Sequence, residues 1–128
     1  MMAKGKSQWF VAMLVERFEL YKEARRKPQR QYTAYLNTHI LKAKNFNEAY
    51  KKANAVGKAN LGSPCVNSVG EKGHWVFEGI ADLLPVYEPI GDGCEILWQK
   101  IRGRLVSIQS RIQSKGKLRE RCSNDGSR

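Results

Sequence analysis

The segment KNFNEAYKKANAVGKAN, residues 44–60, marks the point at which the hydrophobic period of this chain changes. Asn45, followed three residues later by Glu48, is a variant of the capping box that satisfies free amides at the start of a helix. The pattern therefore predicts one principal helix over residues 45–61, ending just before Gly62. Its apolar residues recur at the spacing of one helical stripe, at Phe46, Ala49, Tyr50, Ala53 and Val56.

The sequence before this helix is rich in aromatic and aliphatic residues and predicts two strands. Residues 8–21 form the first, and its first half is apolar on both faces, so we expect it to be covered on both. Residues 31–43 form the second, which returns after a polar stretch at 22–30 that reads as the loop of a long hairpin. One face of this second strand carries Tyr32, Ala34, Leu36, Thr38 and Ile40.

After a loop, the run HWVFEGIADLLPVYEP at residues 74–89 predicts a third long strand, bent near Gly79 or broken near Pro85. The following residues, IGDG at 90–93, predict a tight turn, because glycine and aspartate tolerate the backbone angles that a turn requires. CEILWQKI, 94–101, then returns as a strand or opens a helix. We therefore interpret the region as a β-hairpin and not as an active site. Strand alternation places on one face Trp75, Phe77, Gly79, Ala81 and Leu83.

These elements predict an α+β fold in which a small, mostly antiparallel sheet of four or five strands carries one principal helix. Residues 1–100 form the single domain. Residues 101–114 are a candidate amphipathic helix, and residues 115–128 a basic, disordered tail with too little apolar surface to order. The candidate helix would present a partner surface made of Ile101, Leu105, Ile108 and Ile112.

Positive charge is concentrated at the two ends of the chain. The net charge is +11, with +5 in residues 1–30, zero in residues 31–100 and +6 in residues 101–128. Basic groups clustered in this way can neutralise phosphates and release counterions, although a solubilising loop and tail is the somewhat favoured explanation. The candidate phosphate-binding residues are Arg25, Arg26, Lys27, Arg30, Arg102, Arg104, Arg111, Lys117, Arg119 and Arg121.

Signals for catalysis are weak. The three cysteines are widely spaced and form no C-x-x-C pair, so we expect reduced thiols, no metal site and no cofactor. Cys65 and His74 are the best candidates for a nucleophile and its base, but their separation in sequence is not diagnostic. Glu78 and Asp82 are explained by a solvated sheet face. The sequence predicts a protein that is not an enzyme.

The N-terminal run WFVAMLV, residues 9–15, is too short for a membrane span, which needs roughly 20 apolar residues. Glu16 and Arg17 interrupt it, and no small-residue cleavage site follows. We therefore expect a cytoplasmic protein with no membrane partner.

Three stretches of the chain resemble a bacterial family, the domain of unknown function 4288. They are WFVAMLVERFE, HILKAKNFNEAYKKANAVGKA and FEGIADLLPVYEPIGDGCEILW, which together span roughly residues 9–98. The last is the most specific, with an F-x-G-I-x-D-L run followed by Tyr87 and a D-G-x-E turn. The resemblance implies a small intracellular bacterial domain, and the family supplies no catalytic residues to carry over. Small domains of this type include immunity- and defence-type accessory proteins, which is an analogy only.

We expect a non-enzymatic binding or accessory protein that acts through contacts with an unidentified protein or with a second copy of itself. The alternative is a nucleic-acid- or ribosome-associated protein that binds phosphates through its basic loop and tail. The two differ in their response to salt, because phosphate binding weakens steeply as the salt concentration rises.

Overall fold

A computed structural model describes residues 6–23, 31–59 and 64–124. The chain divides into two compact units at Leu97 and Trp98. The first unit is a four-stranded antiparallel sheet with one principal helix, which confirms the predicted α+β fold. Its elements are β1 (Gln8–Leu20), a 3-10 turn (Tyr21–Glu23), β2 (Ala34–Ala43), α1 (Phe46–Ala59), β3 (Pro64–Val66) and β4 (Lys72–Pro85).

The strand order is β2-β1-β4-β3, so β1 lies inside the sheet and β2 lies at one edge. β1 pairs with β2 from Gln8 to Arg17 without any shift of register. It pairs on its other side with β4 along most of the length of both strands. β1 therefore contacts every large element of the first unit.

Both faces of the first half of β1 are buried, as the sequence predicts. On the helix face, Ala12 and Leu14 are fully buried and pack against Ala53 of α1. The opposite face, here called the outer face, carries the odd-numbered residues of β1 and the even-numbered residues of β2. There Val11 and Met13 are covered by the chain that follows β4. This two-sided burial explains why the segment has no polar alternation.

α1 starts as predicted, because the side-chain oxygen of Asn45 accepts a 2.8 Å hydrogen bond from the Glu48 backbone N–H. Its buried residues are small, namely Ala49, Ala53 and Gly57. Small side chains let the helix backbone lie close to the sheet. Two members of the predicted buried stripe are instead exposed and stack on each other, Phe46 and Tyr50.

Two β-bulges bend β4 around Gly79, which confirms the predicted bend. The pairing with β1 shifts register on either side of the Gly79 pair, and Gly79 has a φ of 149°. Each bulge inserts one residue and so reverses the alternation of side chains. As a result Ile80 packs on the helix face together with Phe77 and Leu83. The simple alternation that placed Ile80 on the opposite face was therefore wrong.

The hairpin predicted around IGDG does not form. The turn itself exists, with the Cys94 N–H donating to the Gly91 carbonyl at 3.1 Å. The returning strand is absent among residues 94–100, all of which the structure describes as irregular. Instead Leu97 packs on the outer face against the cluster of Val11 and Met13. Covering these apolar side chains takes the place of strand pairing along the bulged edge of β4.

The observed hairpin joins β3 to β4, in the region that the sequence suggested was only a loop. The side-chain oxygen of Asn67 accepts hydrogen bonds from the backbone N–H groups of Val69 and Glu71. Gly70 adopts a φ of 85°, which glycine reaches without strain. This local turn sets the pairing of Cys65 with Gly73.

The second unit contains α2 (Leu105–Gln109) and α3 (Lys115–Asn124). The helix predicted over 101–114 is therefore limited to five residues. The disorder predicted for 115–128 is wrong for α3, while 125–128 lie outside the described residues. Lys, Arg, Glu and Leu favour helix, and Ser114 caps α3 by accepting a hydrogen bond from the Lys117 N–H at 3.2 Å. No helix in the described ranges is long and apolar enough to cross a membrane.

Replacing Gly57 by alanine should destabilise the first unit, although alanine is ordinarily the better helix former. A Cβ at this position would overlap the ring of Phe77. We expect a loss of about 1–3 kcal/mol in the free energy of unfolding, measured by urea denaturation. Combining Gly57→Ala with Phe77→Leu should restore part of that loss, and equal losses in the single and double variants would contradict this packing.

Candidate functional site

An accessible apolar surface of the sheet lies on the outer face of β2. Leu36 and Ile40 are 53% and 47% exposed there, on either side of Thr38. Both residues lie on the strand face that was predicted from the alternation of the sequence, together with Ala34 and Thr38. In the structure this face of β2 is exposed. β2 residues on the helix face, such as Leu41, are instead covered.

The backbone edge of β2 is also open. The Phe18 N–H donates to the Thr33 carbonyl, so the odd-numbered residues here turn their backbone groups towards β1. The even-numbered residues of β2 consequently turn theirs outward, away from the sheet. Lys52 of α1 donates to the outward carbonyl of Lys42. Among the described residues, nothing pairs with the outward backbone groups of Leu36, Thr38 and Ile40.

The other edges of the sheet carry features that discourage pairing, and β2 does not. β3 has three residues and begins with Pro64. The free part of β4 is bent by its two bulges. β2 has ten residues, regular register, no proline or glycine, and no charge before Lys42. The Lys42 ammonium is itself held 5.2 Å from the centre of the Trp9 ring. A long edge with a regular register and no charge over residues 34–41 is a template for another strand.

A cluster of charged side chains lies on the outer face at the C-terminal end of β1. Arg17 Nε donates to Glu78 Oε2 at 2.6 Å, and Arg17 Nη1 lies 3.4 Å from Glu19 Oε1. The Arg17 guanidinium also lies 4.6 Å from the centre of the Tyr32 ring. Arg17 and Glu19 are both more than nine-tenths buried. Their alternation along β1 places both side chains on the same face, which is why they meet.

Partners within this cluster offset the cost of burying its charges. Burial by itself would lower the pKa of Arg17, but the hydrogen bond to Glu78 and the nearby charge of Glu19 outweigh it and raise that pKa. His74 Nε2 lies 3.7 Å from Glu19 Oε2, and the His74 ring stacks on Tyr21. These contacts join the ends of β1 and β4, while Arg17 Nη1, Glu19 Oε1 and His74 Nδ1 are buried there without a hydrogen-bond partner among the described residues.

Outside the cluster, an exposed ion pair joins the end of β1 to the β3–β4 turn. Lys22 Nζ lies 2.6 Å from Glu71 Oε2. The hydrogen bonds from Lys22 and Asn67 lower the pKa of Glu71. Because both partners reach solvent, this pair adds little to stability.

Cys65 and His74 do not form a nucleophile pair. Cys65 pairs with Gly73, so its side chain shares a face with Gly73. A Cβ on Gly73 would meet Phe18 on the helix face, whereas His74 projects towards Glu19 on the outer face. Burial also raises the pKa of the Cys65 thiol, which is the reverse of what a reactive thiolate requires. The three cysteines are free thiols.

Three of the five acidic residues of the 78–95 region have hydrogen-bond partners. Glu78 binds Arg17, Asp82 accepts a hydrogen bond from the Leu83 N–H, and Glu88 accepts one from the Glu95 N–H at 2.7 Å. Within 6–23, 31–59 and 64–124, no three His, Cys, Asp or Glu side chains are grouped to hold a metal ion.

The predicted phosphate-binding residues fall into two sets. Arg25, Arg26, Lys27 and Arg30 lie outside the described residues. The other six belong to the second unit, and all six are exposed there: Arg102, Arg104, Arg111, Lys117, Arg119 and Arg121.

The predicted partner surface of the second unit is exposed as well. Ile101 precedes α2, Leu105 and Ile108 lie within it, and Ile112 follows it. Because α2 ends at Gln109, these four residues do not share one continuous helical stripe.

Replacing Arg17 by methionine should leave the buried carboxylate of Glu19 without its arginine counter-charge. We expect a loss of about 3–5 kcal/mol in the free energy of unfolding at neutral pH, measured by urea denaturation. Lys22→Met, which breaks the exposed pair with Glu71, is the matched control and should have a small effect.

Comparing the unfolding of Arg17→Met with that of the natural chain at lower pH tests whether the loss of stability is electrostatic. Acid protonates carboxylates that lack a counter-charge, so the deficit of Arg17→Met relative to the natural chain should shrink as the pH falls. A deficit that is unchanged between neutral and mildly acidic pH would assign the effect to poorer packing.

One comparison with known proteins assigns this chain to a family. The family described as "Domain of unknown function (DUF4288)" matches residues 9–98, from the second residue of β1 to the residue that follows Leu97. No curated protein and no solved structure matches the chain. The match covers α1, all of the sheet except Gln8, and more than half of the sequence, so the chain belongs to the family DUF4288.

Proposed function

We propose that this protein is a non-enzymatic, cytoplasmic binding or accessory protein that acts through protein contacts. The observation that supports this most directly is the free edge of β2, with Leu36 and Ile40 projecting beside it. An immunity- or defence-type accessory role is the class of function we favour, by analogy with small domains of this kind.

An open edge strand binds a partner by strand addition. Backbone hydrogen bonds to the outward groups of Leu36, Thr38 and Ile40 supply affinity, and side chains of alternate residues supply specificity. Both kinds of contact are present together in β2, because the residues with outward backbone groups are also those on the outer face. This arrangement suits an extended, apolar partner segment.

The packing of β1 beside β2 supports the same proposal. β1 is buried on both faces, and the cluster of Arg17, Glu19 and Glu78 fixes its far end. A partner strand would therefore add to a preformed template and would not have to order it, which reduces the entropic cost of binding.

A second candidate function rests on the second unit. Its six candidate phosphate ligands are exposed, and residues 101–128 carry a net charge of +6. Exposed arginines and lysines without an aromatic stacking platform would contact the phosphate backbone and read little sequence. We therefore keep nucleic-acid or ribosome association as the alternative.

Introducing charge beside the β2 edge should remove protein binding. We expect the variant Leu36→Lys with Ile40→Lys to capture its protein partner from a nuclease-treated bacterial lysate about tenfold less than the natural chain, the result of losing roughly 1.4 kcal/mol of binding energy. Phe46→Lys with Tyr50→Lys is the matched control, since it places the same charges on an exposed apolar pair of α1. Equal losses in the two variants would contradict a role for the β2 edge.

Nucleic-acid binding predicts a different response. Changing Arg102, Arg104 and Arg111 to glutamine should reduce the slope of log affinity against log salt by about one for each phosphate that is no longer neutralised, measured by RNA fluorescence anisotropy. A slope near zero in the natural chain would exclude the second candidate.

A further inference from the structure

We infer that the occupant of the β2 edge is a second copy of this chain, paired antiparallel about a two-fold axis through Thr38. This inference rests on the proposed function, because it identifies the partner of the same edge. The pairing would join two four-stranded sheets into one continuous sheet.

The alternation of inward and outward backbone groups along β2 permits this register. The even-numbered residues carry the outward backbone groups, and antiparallel pairing needs such residues to face each other. An axis through Thr38 sets each Thr38 opposite its copy. It also sets Leu36 opposite Ile40 of the second copy. All three central pairs can then exchange both backbone hydrogen bonds.

The side chains on the outer face are self-complementary in the same register. Leu36 and Ile40 are each about half exposed. Leu36 of each copy would pack against Ile40 of the other copy, so the axis would relate two such contacts. Aliphatic cross-strand pairs of this kind stabilise sheets. An axis through Asn37 would set Leu36 opposite Thr38 and Ile40 opposite Ala34, and would match these side chains less well.

Charge does not oppose the pairing. Residues 34–41 carry no charged side chain, and residues 31–100 have a net charge of zero. An acidic or basic partner strand would therefore gain nothing along this edge, whereas the same uncharged segment of a second copy would lose nothing there. The basic ends of the two copies would repel each other weakly, so added salt should strengthen this association. Salt weakens phosphate binding.

Disulfide trapping tests the register in the full chain, with Cys65, Cys94 and Cys122 changed to serine. Thr38→Cys should then form a covalent dimer under mild oxidation, since Cα atoms of such a pair lie about 5.5 Å apart, within the reach of a disulfide. Ala34→Cys is the matched control on the same exposed face. Its two copies would lie about 26 Å apart and should not cross-link.

A mixing experiment is more stringent. Leu36→Cys chains alone and Ile40→Cys chains alone should not cross-link, because equivalent residues lie about 13 Å apart. A mixture of the two, with one chain carrying a size tag, should yield the mixed dimer at least about tenfold above either chain alone, as their facing cysteines fall within disulfide reach. Cross-linking of equal yield in all three samples would overturn the Thr38 register.

Sedimentation velocity tests the pairing without cysteines. Thr38→Pro removes one outward N–H and leaves the β1–β2 hydrogen bonds in place, so it should raise the dimer dissociation constant at least about tenfold. Thr38→Val retains the N–H and should keep the dimer. Circular dichroism and the melting temperature of both variants report whether the sheet remains folded, and a dimer that persists in folded Thr38→Pro would overturn the inference.

The outcomes separate this inference from the proposed function. A monomeric natural chain that still captures another protein through Leu36 and Ile40 overturns the dimer and leaves the proposed function standing. A monomer that captures no protein overturns both. A dimer that meets the cross-linking pattern supports the inference whether or not a further partner binds.

Discussion

The structure of the first unit depends on the enclosure of β1 between two apolar layers. On one side, fully buried Ala12 and Leu14 lie beneath α1. On the other, Val11 and Met13 lie beneath the chain that follows β4. Burying an aliphatic side chain of this size contributes about 1.5–3 kcal/mol, so this short run accounts for much of the stability. It also requires a covering element on each face, which determines where α1 and the 86–97 segment lie.

The open edge follows from this enclosure. With β1 inside the sheet and β4 on one side of it, β2 is left at the border with a single neighbour. β2 meets α1 through Leu41 and Ala43, and its other side chains receive no comparable cover. Residues 34–41 of this strand therefore combine backbone groups that no other described residue pairs with and the exposed side chains of Leu36 and Ile40. We propose this combination as a surface for protein contact. The net positive charge of the chain lies outside residues 31–100.

The candidate site could be predicted only in part from the sequence. The face shared by Leu36 and Ile40 follows from strand alternation alone, because side chains of alternate residues point the same way. Whether that face is covered depends on the position of α1, which no local pattern encodes. The cluster of Arg17, Glu19 and Glu78 joins residues far apart in sequence, and the one local signal for it is that Arg17 and Glu19 alternate on β1.

The long strands, the start of α1 at its Asn45 cap and the bend at Gly79 follow from the sequence, because periodicity, capping and glycine conformation are local. The match to the family likewise needs no structure. The side of β4 on which Ile80 lies follows from the pairing of β4 with β1. A bulge is an extra residue relative to the partner strand, so it exists only once the two strands are paired. The tertiary structure also decided that residues 94–97 cover β1 and do not form a strand. An apolar residue such as Leu97 can satisfy either arrangement, and the burial available on a face formed by distant residues selects between them.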